Sequence, residues 1–219
     1  MATSWDIIEK WVDITSEHGQ ELLFAPDPRF ALFDPDDHPD FNPEFWNRQQ
    51  RKANCMGYAL EAVGESLLPG YIRPYHMCEN RQIADEFNRV GYRMQQAIAP
   101  DEFEEIVRMG VLVDGLKKVQ SADELYKPDH YLVALNFHHA ASSFDGAIDN
   151  DFHFVRLDKN GRWSMTCYGN YEGVSFHDRD MDKILNPART NWGSFMKFDG
   201  FYHVPKGGIE TLRPRLRAG

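Results

Sequence analysis

Two residues of this chain have the type and setting that nucleophilic catalysis needs, Cys55 and His153. Cys55 follows Asn54, a favoured N-cap residue, and apolar residues recur every three or four positions after it, so that it is predicted to begin a helix. The unpaired N–H groups at a helix start favour a thiolate and can also stabilise an oxyanion. Because a free cysteine is more often a small buried residue, placement alone leaves both interpretations open.

His153 lies in a run with the period of a β-strand, between Phe152 and Phe154. Side chains alternate along a strand, so if the two phenylalanines face the core, His153 faces the opposite side. A cleft against the Cys55 helix is one environment for that side, and an exposed strand surface is the other. The hypothesis is that Cys55 is a nucleophile and His153 its general base.

The elements that must position this pair form a helical half followed by a strand half. Helical spacing is predicted for 5–12, for 55–68, for 80–96 and after Pro100, where Gly110 is expected to end the helix. A period of two is predicted for 111–116, 130–138, 151–157, 162–168 and 198–204. The prediction is an α+β fold in which N-terminal helices pack on a C-terminal antiparallel sheet.

Two connecting segments have a clear composition. The stretch 26–43 is crowded with proline and aspartate, which predicts a long ordered loop. The stretch 158–161 contains an Asn-Gly pair and predicts a tight hairpin between two strands.

Charge and composition exclude several kinds of partner. The formal net charge is -10 with a pI near 5.3, which disfavours nucleic acid and anionic membrane surfaces. No segment reaches the roughly 18 apolar residues of a membrane span. The first residues, MATSWDIIEKWVDI, do not resemble a secretory signal, so we expect synthesis in the cytoplasm without a signal peptide.

Metal and cofactor sites are not expected. Three cysteines are too few for a disulfide framework, and the phosphate-binding glycine motifs are absent. Two groups of possible ligands do not have the spacing of a calcium loop or of a zinc site: Asp34, Asp36, Asp37, His38 and Asp40, and His138, His139, Asp149 and Asp151. The first group is interpreted as a solvated acidic turn.

Several motifs together resemble the bacterial papain-like cysteine amidases of the NlpC kind. They are N-C-M-G-Y-A-L at 54–60, Pro-Gly at 69–70, D-G-L at 114–116, D-F-H-F-V-R-L-D-K-N-G-R-W-S at 151–164, N-P-A-R-T at 186–190 and F-D-G-F-Y-H-V-P at 198–205. The resemblance implies a single papain-like domain over 1–219, with a core at about 45–205 and an N-terminal extension at 1–44.

The resemblance also implies roles for individual residues. Cys55 would attack an amide carbonyl, and His153 would take the thiol proton and later protonate the leaving amine. The polar residue expected opposite the histidine falls at Met165, which leaves Ser164 and Asn170 as candidates for orienting the imidazole. Gln49, six residues before Cys55, is the candidate for an oxyanion side chain.

The function implied by this resemblance is a cysteine peptidase or amidase that cleaves the peptide stems of peptidoglycan. Without a signal peptide, such an enzyme is expected to be an antibacterial effector that a type VI secretion apparatus delivers to the periplasm of a target cell. An immunity protein or a component of the apparatus would be its partner. Two alternatives stay open: an effector that modifies a protein substrate, as a protease, deamidase or transglutaminase, and a catalytically inactive papain-like binding module.

Overall fold

The structure is a computed structural model, and it describes 34–49, 53–62, 67–73, 77–95, 98–121, 124–141, 148–166, 174–175, 183–192 and 196–209. The helix predicted at 5–12, residues 26–33 of the loop predicted at 26–43, Cys167 and Asn170 lie outside these residues.

Helices come before strands in the described part of the chain. The α-helices are α1 (Pro43–Gln49), α2 (Cys55–Ala59), α3 (Arg81–Val90) and α4 (Pro100–Val113), and 3-10 turns occur at Pro35–Asp37 and Gly91–Gln95. Asn80 caps α3, because its side chain accepts from the Ile83 N–H at 3.2 Å. The predicted helices at 80–96 and after Pro100 are confirmed.

The strands form one antiparallel sheet. They are β1 (Lys117–Lys118), β2 (His130–Ala141), β3 (Ile148–Leu157), β4 (Trp163–Thr166), β5 (Val174–Ser175) and β6 (Met196–Pro205), and their order across the sheet is β1-β6-β2-β3-β4-β5. The long strands β6, β2 and β3 occupy the middle of the sheet, and the chain is therefore a mixed α+β protein with a six-stranded antiparallel sheet among its described residues.

Both faces of this sheet are apolar and covered. We call the side that packs on α2, α3 and α4 the helix face; its strand residues include Tyr131, Val133, Leu135, Phe137, Phe152, Phe154, Tyr202 and Val204. We call the other side the second face; its strand residues include Leu132, Ala134, Val155, Leu157, Trp163, Met165 and Phe201. Burial of alternate residues on each side is what the period of two requires.

The predicted hairpin joins β3 to β4. The Gly161 N–H donates to the Asp158 carbonyl at 2.9 Å, and Gly161 has a φ of 75°, in the region that glycine tolerates best. Leu157 pairs with Trp163 directly beyond this turn, so the prediction is confirmed.

The helix predicted over 55–68 ends much earlier, at Ala59. Glu61 adopts a left-handed conformation with a φ of 56°. The Ala62 N–H donates to the Gly57 carbonyl at 2.8 Å and the Glu61 N–H to the Tyr58 carbonyl at 3.2 Å, which is a Schellman ending. Apolar periodicity continued past this point in the sequence, but the backbone turns because of these local hydrogen bonds.

The strand predicted at 111–116 is wrong, and Gly110 does not end α4. The helix continues to Val113, and the chain then turns at Asp114. Asp114 is buried and accepts the N–H groups of Gly70 at 2.6 Å and Ile72 at 3.0 Å. Gly110 lies inside the helix because the Pro69–Gly70 backbone crosses it closely.

Replacing Gly110 by alanine is expected to lower the free energy of unfolding by about 1–3 kcal/mol, the usual cost of overpacking. A Cβ would lie 2.6 Å from the Pro69 carbonyl carbon and 2.9 Å from the Gly70 nitrogen, which are backbone atoms that cannot rotate away. Urea denaturation of the parent, Gly110→Ala and the exposed helix variant Glu105→Ala measures this. Helix propensity alone would stabilise Gly110→Ala by about 1 kcal/mol. The sign of the change in the free energy of unfolding therefore distinguishes overpacking from helix propensity.

Candidate active site

Cys55 is the first residue of α2 and lies on the helix face. The Asn54 side chain accepts from the Gly57 N–H at 2.9 Å and also bonds the backbone of Leu67, which fixes the start of the helix. The Cys55 Sγ donates to the Phe152 carbonyl at 3.7 Å. The predicted position of Cys55 at a helix N-terminus is thus confirmed.

The surroundings of Cys55 favour the neutral thiol. Burial, reinforced by the negative charge of Asp151, raises the pKa of Cys55 to about 12. A helix of five residues offers only a small opposing dipole. In this conformation Cys55 therefore needs a base to become a nucleophile.

His153 lies on the second face in the middle of β3. Its Nε2 is 3.2 Å from the Met165 Sδ, and the Trp192 ring lies edge-on with its centroid 6.3 Å away. Burial lowers the pKa of His153 to about 4, so the ring is neutral at physiological pH. Met165, which the resemblance placed opposite this histidine, contacts its ring.

Cys55 and His153 approach β3 from different sides. Phe152 and Phe154 belong to the same apolar cluster as the residues around Cys55, whereas His153 points with Val155 to the other side of the sheet. The Cys55 thiol contacts the Phe152 carbonyl, one residue before His153, so both candidates lie near the same point of β3.

Of the other predicted site residues, Ser164 is the one whose side chain the structure describes. Ser164 is on the helix face, where its Oγ is 2.5 Å from the Tyr58 hydroxyl. Gln49 is the last residue of α1, and its side chain lies outside the described part of the structure, as does Asn170 altogether. Ser164 therefore does not orient His153 in this structure.

A histidine on the same face as Cys55 is His139, near the end of β2. Its Nδ1 is 2.7 Å from the Asn150 Oδ1, directly opposite on β3, and its Nε2 is 3.0 Å from Glu104 Oε1 on α4. Asn150 in turn donates from Nδ2 to the Ile98 carbonyl at 2.9 Å, which fixes its orientation. The imidazole is therefore held by an amide oxygen on one side and a carboxylate on the other.

Positive charges complete this group around Glu104. Lys197 Nζ lies 2.9 Å from the Glu104 carboxylate and Arg108 donates to it at 2.5 Å. Burial raises the pKa of Glu104, but the hydrogen bonds from Lys197, His139 and Arg108 outweigh this and hold it below its ordinary value. Glu104 is thus a buried carboxylate, 3% exposed, that remains ionised.

Cys55 and His139 both lie on the helix face of the sheet. The thiol binds the Phe152 carbonyl, Phe152 pairs with Phe137, and His139 is the next residue after Phe137 to point to that face. One pleat of a strand, about 7 Å, separates Phe137 from His139. Along α2, Tyr58 contacts Arg156 and Cys55 contacts Phe152. The N-terminus of α2 is therefore directed toward the end of the sheet where His139 lies.

The groups of possible metal ligands are engaged in ordinary contacts. Asp37 accepts from the Asp129 N–H at 3.0 Å, and the His38 Nδ1 lies 3.3 Å from the Leu157 carbonyl. Among the described residues, no three His, Cys, Asp or Glu side chains are grouped as metal ligands would be.

Comparisons of the chain with protein-family models, with curated proteins and with solved structures give no match. In the described part of the chain, no helix has the length and apolar character needed to cross a membrane. The arguments about function therefore depend on the geometry above and on the motifs quoted from the sequence.

Proposed function

We propose that this chain is a papain-like cysteine hydrolase that cleaves amide bonds, with Cys55 as nucleophile, His139 as general base and Asn150 as the residue that orients the base. The observation that carries the proposal is that the Cys55 thiol contacts the Phe152 carbonyl, and His139 and Asn150 form the next β2–β3 pair on the helix face. A cysteine on a helix start, packed on a sheet that presents a histidine held by an asparagine, is the arrangement that papain-like chemistry uses.

The reaction follows from these atoms. Both ring nitrogens of His139 face acceptors, so Nε2 first passes its proton to the Glu104 carboxylate while the Asn150 oxygen holds Nδ1. The neutral Nε2 then takes the proton of the Cys55 thiol. The Cys55 Sγ then bonds to the amide carbon, and the negative oxygen is stabilised by the backbone N–H groups at the start of α2. The C–N bond breaks as the imidazolium protonates the leaving amine. A water deprotonated by His139 finally hydrolyses the thioester.

The substrate class comes from the resemblance to the NlpC kind of amidases, whose substrates are the peptide stems of peptidoglycan. The same resemblance supports a role as an antibacterial effector delivered by a type VI secretion apparatus, with an immunity protein as partner. The preference for His139 over His153 as base is supported by side-chain direction: His139 points to the helix face, where the Cys55 helix packs, and His153 points to the second face.

A second candidate is a papain-like binding module without catalysis. It is favoured by the neutral state of both residues that the motifs single out: burial raises the pKa of Cys55 to about 12 and lowers that of His153 to about 4. A thiol that donates to a backbone carbonyl is also the ordinary state of a structural cysteine.

The alkylation of Cys55 by iodoacetamide as a function of pH tests the proposal. Mass spectrometry follows the peptide that contains Cys55 in the parent, in His139→Gln and in His153→Gln, and circular dichroism verifies that each variant is folded. We expect a reactive phase near neutral pH that His139→Gln slows by about 100-fold, the lower end of a general base contribution. His153→Gln should retain this phase.

The other outcomes overturn the proposal in different ways. Loss of the reactive phase in His153→Gln but not in His139→Gln would assign the base to His153 instead. A thiol that reacts only in strong alkali in all three proteins would support the binding module. Digestion of purified peptidoglycan by the parent, with Cys55→Ser as the matched inactive control, then tests the substrate class.

A further inference from the structure

Asn136 is a buried polar residue whose side chain has no hydrogen-bond partner in the described part of the structure. It lies in the middle of β2 with none of its surface exposed, and both Nδ2 and Oδ1 are without a partner. A buried donor or acceptor left unpaired costs about 1–3 kcal/mol, and native proteins retain few such groups. An unpaired carboxamide at the centre of a sheet therefore indicates a missing partner.

The surroundings of Asn136 are on the second face. Asn136 is paired with His153 on β3 and with Phe198 on β6, so that these three side chains point the same way. His153 contacts Met165, and Trp192 lies edge-on to the imidazole. A carboxamide and an imidazole thus lie side by side with an apolar thioether and aromatic rings around them.

The register makes this position specific. A bulge in the β2–β6 pairing falls between Leu135 and Asn136, where Leu135 is opposite Gly200 and Asn136 is opposite Phe198. Bulges occur preferentially where a strand redirects side chains near a functional site. Ala134, the neighbour of Asn136 on the second face, is apolar and offers the carboxamide no hydrogen-bond partner.

The chemistry of the two groups restricts the ligand. A carboxamide offers one donor and one acceptor in a plane, and it is best matched by another planar group with an acceptor and a donor. A charged ligand is disfavoured because the site is buried and burial keeps the His153 ring neutral by lowering its pKa. A neutral carboxamide or peptide group fits both constraints.

We propose that Asn136 and His153 form a ligand-binding site on the second face of the sheet for a small neutral molecule or side chain that carries a carboxamide. The ligand forms a pair of hydrogen bonds with the Asn136 side chain, and Trp192, which is only partly buried, covers it on the solvent side. Trp192 is held in place by the bond from its Nε1 to the Pro187 carbonyl at 2.8 Å. This site is separate from the Cys55–His139 face and does not depend on the proposed hydrolase activity.

Titration of the full chain with acetamide, followed by NMR of the Asn136 side-chain amide and the His153 ring, tests the proposal. We expect saturable shifts of both signals, and weaker effects from acetate and from N,N-dimethylacetamide, which lacks the donor. Asn136→Leu should bind acetamide at least about tenfold more weakly, since two hydrogen bonds of about 1 kcal/mol each are lost.

The control variants keep the proposal falsifiable. Asn136→Leu removes the unpaired groups and is expected to fold at least as stably as the parent; Asn136→Ala is the second variant if leucine does not fit. Shifts that do not saturate, or His153 ring shifts in Asn136→Leu equal to those in the parent, would overturn the site. A buried water that exchanges with Asn136 protons and is not displaced by acetamide would show that a structural water alone is the partner.

Discussion

Replacing Arg156 by alanine is expected to lower the free energy of unfolding by about 3–5 kcal/mol, the cost of removing one partner from a buried ion pair. The guanidinium is wholly buried and donates to Asp158 at 2.8 Å, to the Tyr58 carbonyl at 3.3 Å and to the Asp40 carbonyl at 3.2 Å. It also stacks on the Tyr58 ring at 4.2 Å. Arg156 therefore ties α2 and the N-terminal loop to the sheet.

The pH dependence of the effect distinguishes this prediction from a general loss of packing. Burial raises the pKa of Asp158 to about 6 and Arg156 opposes this, so without Arg156 the carboxyl is more easily protonated. A raised pKa makes stability fall as the pH rises, and the loss in Arg156→Ala should be larger at pH 8 than at pH 5. Urea denaturation at both values measures it.

Two controls accompany Arg156→Ala: a replacement of a surface arginine, and a double replacement of Arg156 and Asp158. Arg162→Ala, at an exposed position after the hairpin, should change the free energy of unfolding by less than about 0.5 kcal/mol. Arg156→Met combined with Asp158→Leu should recover much of the loss, because no charge stays buried alone. A loss below about 1 kcal/mol in Arg156→Ala would contradict the assignment.

The second large effect is a pH dependence from His153. Burial lowers the pKa of His153 to about 4, whereas the unfolded chain has a value near 6.5. Between these values the unfolded state binds the extra proton, so the free energy of unfolding should fall as the pH falls from 6.5 to 4, by up to about 3 kcal/mol. His153→Gln should lack this contribution, and the difference between the two curves isolates it.

An ion pair between Cys55 and His153 predicts the opposite sign. A thiolate beside the ring would raise the pKa of His153, and its contribution would be lost as the pH rises. An NMR titration of the His153 ring reads the value directly. Titration at or above pH 6.5 would refute the buried neutral ring and restore the pair that the motifs predict.

The strands and later helices could be predicted because their periodicity reflects burial on one side at a time. The predicted helix ends were wrong where local backbone geometry sets the end. The helix of Cys55 ends before a left-handed Glu61, and Gly110 allows a close backbone crossing inside α4 and does not end it. The segment 111–116 is predicted as a strand, yet its first half completes α4 and its aspartate accepts buried N–H groups.

The helix start at Cys55 could be predicted from the sequence, and the pairing of His139 with Asn150 could not. Alternation along β3 correctly separates His153 from its flanking phenylalanines, but both faces of this sheet are apolar, so the sequence does not indicate which face the Cys55 helix covers. His139 and Asn150 become neighbours only through the register of β2 and β3, and no local pattern encodes that pairing. His139 was instead considered with His138 as a zinc ligand.

The order of the strands has a consequence for how the protein behaves among other proteins. The longest strands lie in the interior of the sheet, and the outermost ones, β1 and β5, are two residues each. Among the described residues, β1 pairs with only two residues of β6 and β4 with only two of β3, so the outer strands cover a small part of the edges of these long strands. The described outer strands therefore do little to limit the addition of a foreign strand, and the interior strands are rich in the apolar residues that favour such pairing.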